Sequence, residues 1–237
     1  QSPNQFGVIE DMEALADKAH AAGALSVASV NPTSLGMFRT PGECDVDIVA
    51  AEGQALGVPL SFGGPYVGLF ACKDAHKRQM PGRIIGRTTD TKGRVGYALT
   101  LQTREQHIRR ERATSNICTS TALIGLLMTT YLAVIGRNGF KKVAELCYHK
   151  AHYAALEIDK IPGYSVKTDG PFFHEFMVEC PKPPADINRA LIDHKIIGGH
   201  DMSDRSNNGM LICVTEVNTR AEIDALVSAL TDIGAAR

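Results

Sequence analysis

The segment from residue 104 to residue 116 carries the side chains best suited to bind an anion. Four arginines, one histidine and two glutamates fall within nine residues, and Thr114, Ser115 and Asn116 follow before a long apolar stretch. The cationic side chains are Arg104, His107, Arg109, Arg110 and Arg112. Arginines form charge-assisted bonds to phosphates and carboxylates, and hydroxyl and N–H groups at a helix start also bind anions. We interpret the segment as one that crosses a subunit interface or approaches an anionic group.

Contacts within the chain are the alternative interpretation of these residues. Thr114 or Ser115 would cap the following helix, and the arginines would pair with Glu105 and Glu111. His107 titrates in the physiological range when unperturbed. The sequence gives it no identifiable acid partner, which favours a structural role.

The loop at residues 53–64, rich in glycine, proline and serine, is a second candidate. It follows a predicted strand, and α/β proteins place ligand sites after the carboxyl ends of their strands. Ser61, Gly63 and Gly64 are expected to line a cleft with their backbone. The alternative is a tight turn that needs glycine for its dihedral angles. Glycines at 198 and 199 before a histidine and an aspartate indicate a turn rather than a metal site.

Composition limits the classes of function. The net charge of −1 provides no overall field to attract nucleic acid or an anionic membrane. Six cysteines are spread along the chain without a C-x-x-C pair, which argues against a zinc site or a redox motif. Such dispersed thiols are typical of a cytoplasmic protein.

Helix-like and strand-like patterns alternate and must position these candidates. Residues 9–22 have apolar side chains at helical spacing, and short apolar runs at 24–30, 46–50 and 68–72 fit buried strands. This order predicts an α/β protein with a parallel or mixed sheet between layers of helices. Further along, the patterns predict strands at 97–101, 172–179 and 210–215, and helices at 119–135, 140–160, 185–194 and 220–233.

The apolar stretch at residues 119–135 holds four threonines and a serine and is marginal in length for a membrane span. We expect a helix buried in a large core. Pro162 and Gly163 interrupt the pattern further on. We predict that residues 1–140 belong to a large domain, and that residues 141–237 form a long linking helix and a small α+β domain. Because the chain begins at a glutamine without an initiator methionine, we expect it to be part of a longer protein.

This arrangement resembles the pyridoxal phosphate (PLP) enzymes of the aspartate aminotransferase fold, fold type I. Such enzymes hold the cofactor with a lysine after a sheet strand and an acid beside the pyridine nitrogen. No lysine occurs between Lys18 and Lys73 here, and Asn31 ends the strand where the acid should stand. Both anchors of the cofactor are therefore missing.

Longer motifs make the resemblance specific. They lie at residues 47–54, 61–66, 78–83, 99–103 and 104–119. With them the chain resembles the glycine decarboxylase P-proteins, in particular subunit 1 of the two-subunit bacterial form, over essentially its whole length to about residue 230. It is similar to the C-terminal half of that subunit. Counting back without gaps from Gly64 and Pro65 puts Gln54 at the position of the lysine of subunit 2.

The resemblance implies a degenerate subunit that is inactive alone, without catalytic or metal-binding residues of its own. PLP would be held by subunit 2, and Thr114, Ser115 and Asn116 would approach its phosphate. The implied partners are subunit 2 in an α2β2 assembly, the lipoylated H-protein and glycine, with no nucleic acid and no membrane. Two alternatives remain open, a self-sufficient desulfurase- or aminotransferase-like PLP enzyme that uses Lys73, and a purely structural dimerisation partner.

Overall fold

The structure is a computed structural model that describes residues 1–117 and 120–235. The predicted helix start at residue 119 and the end of the motif at 104–119 lie outside the described residues. The helices are α1 Met12–Ala21, α2 Gln106–Arg109, α3 Ala122–Ile158, α4 Pro184–Asp193 and α5 Arg220–Ala235. The strands are β1 Val27–Val30, β2 Ile48–Glu52, β3 Gly68–Cys72, β4 Ile84–Thr89, β5 Val95–Thr100, β6 Ser165–Val166, β7 Glu175–Glu179, β8 His200–Asp201 and β9 Gly209–Cys213.

The first sheet is mixed, as the sequence predicts. Strand β1 pairs with β2 in parallel, from Val27 opposite Ile48 to Val30 opposite Ala51. Strand β3 pairs with β2 antiparallel. Because β1 and β2 run in the same direction, the residues that follow them leave the sheet at the same edge.

Asp47 joins the elements that flank the start of β2. Its buried carboxylate accepts hydrogen bonds from the backbone N–H and the hydroxyl of Ser26, at 2.8 and 3.2 Å. It also lies 2.8 Å from the His20 Nε2 atom at the end of α1 and 2.9 Å from the Lys73 Nζ atom after β3. Hydrogen bonds from Lys73, Ser26 and His20, named in decreasing order of their effect, hold the pKa of Asp47 well below its usual range. One carboxylate thus ties α1, β1, β2 and β3 together.

Strands β4 and β5 form a separate antiparallel hairpin. The sequence predicts the second of these strands but not the first. The turn is closed by Asp90, which accepts bonds from the backbone N–H groups of Lys92 and Arg94. The hairpin leads directly into the arginine-rich segment.

Helix α3 is a single 37-residue element with a kink at Gly136, where φ is 59° and ψ is −175°. The sequence predicts two helices here, and in the structure they are joined end to end across this kink. After the kink it is a core helix. Its buried face consists of Ala144, Cys147, Ala151, Ala154, Ala155 and Ile158.

The expectation that the first part of α3 is buried in a core is wrong for this chain. By length and hydropathy α3 could cross a membrane. No part of its most apolar stretch is buried among the described residues. Its exposed apolar residues are Leu123, Leu126, Leu127 and Val134. The apolar stretch ends at Gly136 and Arg137, which limits it to about 22 Å against roughly 30 Å of bilayer hydrocarbon.

The C-terminal part builds a second sheet in the order β6-β7-β9-β8, with antiparallel pairing throughout. Helices α4 and α5 and the end of α3 cover it. The largest buried side chains of its core are Phe176, Ile158, Ile187, Leu191, Met210 and Leu230. Phe173 extends the apolar contacts to Phe38, whose ring centre is 5.8 Å away. The division near residue 140 stays a prediction; the kink of α3 at Gly136 lies close to it.

The contacts of Asp47 make the free energy of unfolding depend on pH. An Asp47→Asn variant should have a lower free energy of unfolding at pH 7, because Lys73 loses the buried one of its two anionic partners and an amide satisfies fewer donors. The pKa of Asp47 is lowered on folding, so its contribution is present above the unfolded pKa of about 3.9 and is lost as the pH falls through the folded pKa. The difference between wild type and variant should therefore narrow below about pH 4.

Urea unfolding at pH 7, 5 and 3.5 measures this difference. Asp74→Asn is the control, because Asp74 is exposed and, among the described residues, its ion pair is with Lys77 in its own turn. A difference that grows on acidification would contradict this role of Asp47.

Candidate functional site

A cleft of about 580 Å³ opens at the edge where β1 and β2 both end. The turn after β1, the loop after β2, helix α3 and the segment after β9 form its walls. Its lining residues are Asn31, Thr33, Gln54, Ala55, Gly57, Val58, Pro59, Leu60, Tyr131, Val143, Cys147, His174, Thr215, Glu216 and Val217. The cleft thus brings together residues that flank β1, β2, β7 and β9 with residues of α3.

Asn31 links the two sheets across the back of the cleft. Its Oδ1 atom accepts a bond from the backbone N–H of Thr33 at 3.0 Å and begins a short 3₁₀ turn. Its Nδ2 atom lies 3.3 Å from the Nε2 atom of His174. Burial lowers the pKa of His174 to about 4, so the imidazole is neutral at pH 7.

Gln54 has a structural role in the loop after β2. Its side-chain amide donates to the Val58 carbonyl at 2.6 Å, and its backbone N–H donates to the Glu52 carboxylate at 3.0 Å. Gly57 has a φ of +88°, and a Cβ atom there would lie 2.4 Å from the Tyr131 side chain. The position needs glycine both for its backbone and for this close approach.

Glu216 closes the cleft from the segment after β9. The Cys147 thiol donates to its Oε2 atom at 3.3 Å, and the Lys150 ammonium donates to its backbone carbonyl. Burial and the hydrogen bond from the thiol to Glu216 raise the pKa of Cys147 to about 12, so the thiol keeps its proton. Cys147 is therefore not an activated nucleophile.

The cleft does not fit PLP. Among the residues that line it there is no lysine, an amide stands at the end of β1, and the charged side chain is the Glu216 carboxylate, which repels a phosphate. Lys73 lies at the opposite edge of the sheet, because β3 runs antiparallel to β2. Its ammonium is 2.6 Å from Asp45 and 2.9 Å from Asp47, and these bonds raise its pKa. Lys73 is thus held in its charged form, away from the cleft.

The arginine-rich segment divides into one buried and several exposed side chains. Arg104 is buried, donates to the Met80 and Gly82 carbonyls, and lies 3.1 Å from Glu105. It holds the loop before β4 rather than facing a ligand in this chain. The exposed members are His107, Arg109, Arg110 and Arg112. Apart from Arg104 with Glu105, the expected pairing with glutamates is wrong, since none of these arginines forms an ion pair within the described part of the chain.

The predicted helix cap is also wrong. Helix α3 begins at Ala122 with Thr121 at its cap position, so Thr114 and Ser115 lie too far before it. The Thr114 N–H donates to the Arg104 carbonyl, and the Ser115 hydroxyl accepts a bond from the backbone N–H of Ile117. Thr114 and Asn116 are exposed, and the contact of this segment with an anion stays a prediction.

The loop at 61–64 forms a tight exposed turn outside the cleft. The Ser61 N–H donates to the Tyr66 hydroxyl oxygen at 3.3 Å, and this bond is the main reason why the pKa of Tyr66 is lowered. Gly63 and Gly64 have φ values of +112° and +123°. The turn presents Phe62 fully to solvent. Ser61, Gly63 and Gly64 do not line the cleft described above, and their expected place in a cleft shared with a partner stays a prediction.

Most of the cleft was not predicted from the sequence, including its two titratable residues at the far wall, His174 and Glu216. They lie more than 140 residues beyond Asn31, and no local motif connects them to it. The available signal for His174 was its position directly before β7, a strand whose central residues are buried. Glu175, the neighbour, does not line the cleft, and burial raises its pKa. Among the described residues no cluster of three His, Cys, Asp or Glu side chains is placed to hold a metal.

Comparisons with known proteins assign the chain to a family. The model of the glycine cleavage system P-protein matches residues 1–230. The "Probable glycine dehydrogenase (decarboxylating) subunit 1" of Thermomicrobium roseum is 52% identical over 98% of this chain and 52% of its own length. The protein of the same name from Desulfitobacterium hafniense is 51% identical over 98% of this chain and 53% of its own length. The chain thus spans about half the length of the curated relatives it matches.

Solved structures confirm the fold class. An inhibitor-bound glycine decarboxylase (P-protein) of the glycine cleavage system matches with a TM-score of 0.92 and 40% identity, over 98% of this chain and 54% of that chain. A cysteine desulfurase from Thermococcus onnurineus matches with a TM-score of 0.67 at 18% identity, over 98% of this chain and 57% of that chain, which shows the fold alone. The fold is that of the fold type I PLP enzymes. From its sequence and its fold, the chain belongs to the glycine cleavage system P-protein family.

Proposed function

We propose that this chain is part of subunit 1 of a cytoplasmic glycine dehydrogenase (decarboxylating). The complete enzyme would release the carboxyl group of glycine as carbon dioxide and pass the aminomethyl group to the lipoyl group of the H-protein. Subunit 2 would hold PLP, and the two kinds of subunit would form an α2β2 assembly. This chain would support the reaction without binding the cofactor covalently.

The composition of the cleft is the observation that carries this proposal. A member of the P-protein family keeps a cleft where β1 and β2 end, yet Gln54 and Asn31 stand there and no lysine lines it. The amides are engaged with Val58, Thr33 and His174. Relatives that are about half identical to this chain over the aligned region are named as one subunit of the enzyme. A lysine-free cleft and a subunit name together support a division of labour between two chains.

The exposed surface supports assembly with a partner. Three arginines that are unpaired within the described residues lead towards the uncovered apolar start of α3. Val134 there is 80% exposed and Leu126 is 60% exposed. An exposed apolar surface of this kind is typical of a protein interface, and arginine is enriched at interfaces. We propose that it packs against subunit 2, with the arginine segment reaching towards the anionic groups bound there.

The first test is reconstitution. The purified full-length subunit that contains this chain should not decarboxylate glycine in the presence of PLP and lipoylated H-protein, because its cleft offers no lysine. Addition of subunit 2 should produce activity, measured as exchange of labelled bicarbonate into glycine. Subunit 2 alone is the control. Steady turnover by subunit 1 alone would overturn the proposal.

The arginine segment can be tested in the assembled complex. Arg112→Ala and Thr114→Ala should each lower kcat/KM by roughly 10- to 100-fold without loss of assembly, since hydrogen bonds to charged groups contribute about 1.5–3 kcal/mol. Arg94→Ala is the matched control, because Arg94 pairs with Asp90 in the hairpin turn. Unchanged activity in both test variants would leave the segment with a structural role only.

We expect the exposed apolar start of α3 to form the surface that binds subunit 2. Val134→Glu and Leu126→Glu should weaken association with subunit 2 by roughly 30-fold or more, because burial of an unpaired carboxylate costs several kcal/mol. Ile192→Glu in α4 is the control, at a similarly exposed position in the small domain. Analytical ultracentrifugation measures association. If the α3 variants assemble as well as the control, this surface faces something other than subunit 2.

A further inference from the structure

The hairpin of β4 and β5 is a sheet of its own, and one of its faces is open to solvent. Because side chains alternate along a strand, Ile85 and Arg87 share a face with their partners Leu99 and Tyr97 and with Val95. Of these, Ile85 is 59% exposed, Val95 51% and Tyr97 73%. A two-stranded hairpin by itself is at best marginally stable in water. Exposed apolar side chains on so small an element indicate a surface that a partner covers.

The hairpin is strongly basic in a chain that is not. Residues 78–100 hold five lysines and arginines and a single acid, a local charge of +4 where the whole chain has −1. The acid, Asp90, is already paired with Arg94 at 2.7 Å. Four cations remain exposed and without an ion pair among the described residues. They are Arg78, Arg83, Arg87 and Lys92. Unpaired charges of one sign favour a partner of the opposite sign, here an acidic one.

The unpaired cations are spread along the hairpin, among its apolar side chains. Arg83 directly precedes β4, Arg87 lies in the middle of this strand on the open face, and Lys92 lies in the turn. The base of the hairpin is held by the buried Arg104, which donates to the Met80 and Gly82 carbonyls. We call the surface formed by Arg83, Ile85, Arg87, Lys92, Val95 and Tyr97 the hairpin surface. Because its base is fixed, less conformational entropy is lost when a partner binds to it.

The hairpin surface differs in character from the exposed start of α3. Residues 122–136 contain no lysine, arginine, aspartate or glutamate. Permanent interfaces are the more hydrophobic ones, whereas charges speed the association of partners that meet and separate repeatedly. The aliphatic side chains of Ile85 and Val95 favour a protein over a nucleic acid, whose phosphates would leave them uncovered. The hairpin surface is therefore suited to an acidic protein that binds transiently.

We propose that the hairpin surface is the docking site of the H-protein and contacts an acidic surface of that carrier. The inference rests on the proposed function, in which the H-protein must bind and leave in each cycle while subunit 2 stays bound. The cations of the hairpin surface attract the carrier from a distance. Its apolar side chains are covered once the carrier has docked.

The test measures the binding of lipoylated H-protein to the assembled enzyme by biolayer interferometry. Arg87→Glu should raise the Kd roughly 10-fold or more, mainly through slower association, because a reversed charge acts on the rate of encounter. Arg87→Lys keeps the charge and should bind nearly as tightly as wild type. Lys18→Glu is the matched control, since Lys18 is an exposed cation of α1 without an ion pair among the described residues.

Salt provides a second readout. Raising the NaCl concentration from about 50 mM to about 500 mM should weaken wild-type binding and reduce the difference from Arg87→Glu, because salt screens exposed charges. Unchanged affinity of Arg87→Glu, or wild-type binding that is absent or independent of salt, would overturn the proposal. Weaker assembly of Arg87→Glu with subunit 2, measured by analytical ultracentrifugation, would also overturn it, because the hairpin would then belong to the permanent interface.

Failure of this inference can be distinguished from failure of the proposed function. If the proposed function is wrong, the wild-type assembly does not exchange labelled bicarbonate into glycine. If only the docking site is wrong, exchange proceeds and the Arg87→Glu variant binds the H-protein as tightly as wild type does.

Discussion

The parallel pairing of β1 with β2 is the constraint on which the rest of this structure depends. Asp47 fixes the start of β2 by accepting bonds from Ser26 before β1 and from Lys73 after β3. Because the register is set at the start of the strands, Asn31 and the loop that contains Gln54 lie side by side at their carboxyl ends. A cleft forms there because parallel strands end together and their connections must diverge. Helix α3 and the segment around Glu216 then close it.

The cleft offers no lysine among its lining residues and no group activated for chemistry by a shifted pKa. Every titratable group in it with a perturbed pKa is pushed towards its neutral form, namely His174, Cys147 and Tyr131. Burial is the main cause in all three. The amides of Gln54 and Asn31 satisfy nearby backbone groups, so the positions have become part of the scaffold. These properties support the proposal that the chain contributes to assembly and that the chemistry lies in a partner.

Much of the fold could be predicted from the sequence because its signals are local. Apolar runs marked β1, β2 and β3, and the absence of lysine after β2 was visible without a structure. The first strand of the hairpin was missed because Ile84–Thr89 mixes glycine, arginine and threonines and is largely exposed. Arg104 was misjudged because its two carbonyl partners come from a turn more than twenty residues earlier. The exposed start of α3 was misjudged because an apolar helix at an interface and one in a core have the same pattern. His174 and Glu216 join the cleft only through tertiary packing, which no spacing in the sequence reveals.

The central claim is that this chain carries no lysine able to hold PLP. It is tested most directly by the visible absorbance spectrum of the full-length subunit with added PLP, alone and with subunit 2, followed by borohydride reduction and peptide mapping. The account predicts no covalently bound cofactor on this chain and a trapped lysine on subunit 2. A trapped lysine on this chain alone, at Lys73 or elsewhere, would contradict it and make the chain a catalytic subunit in its own right.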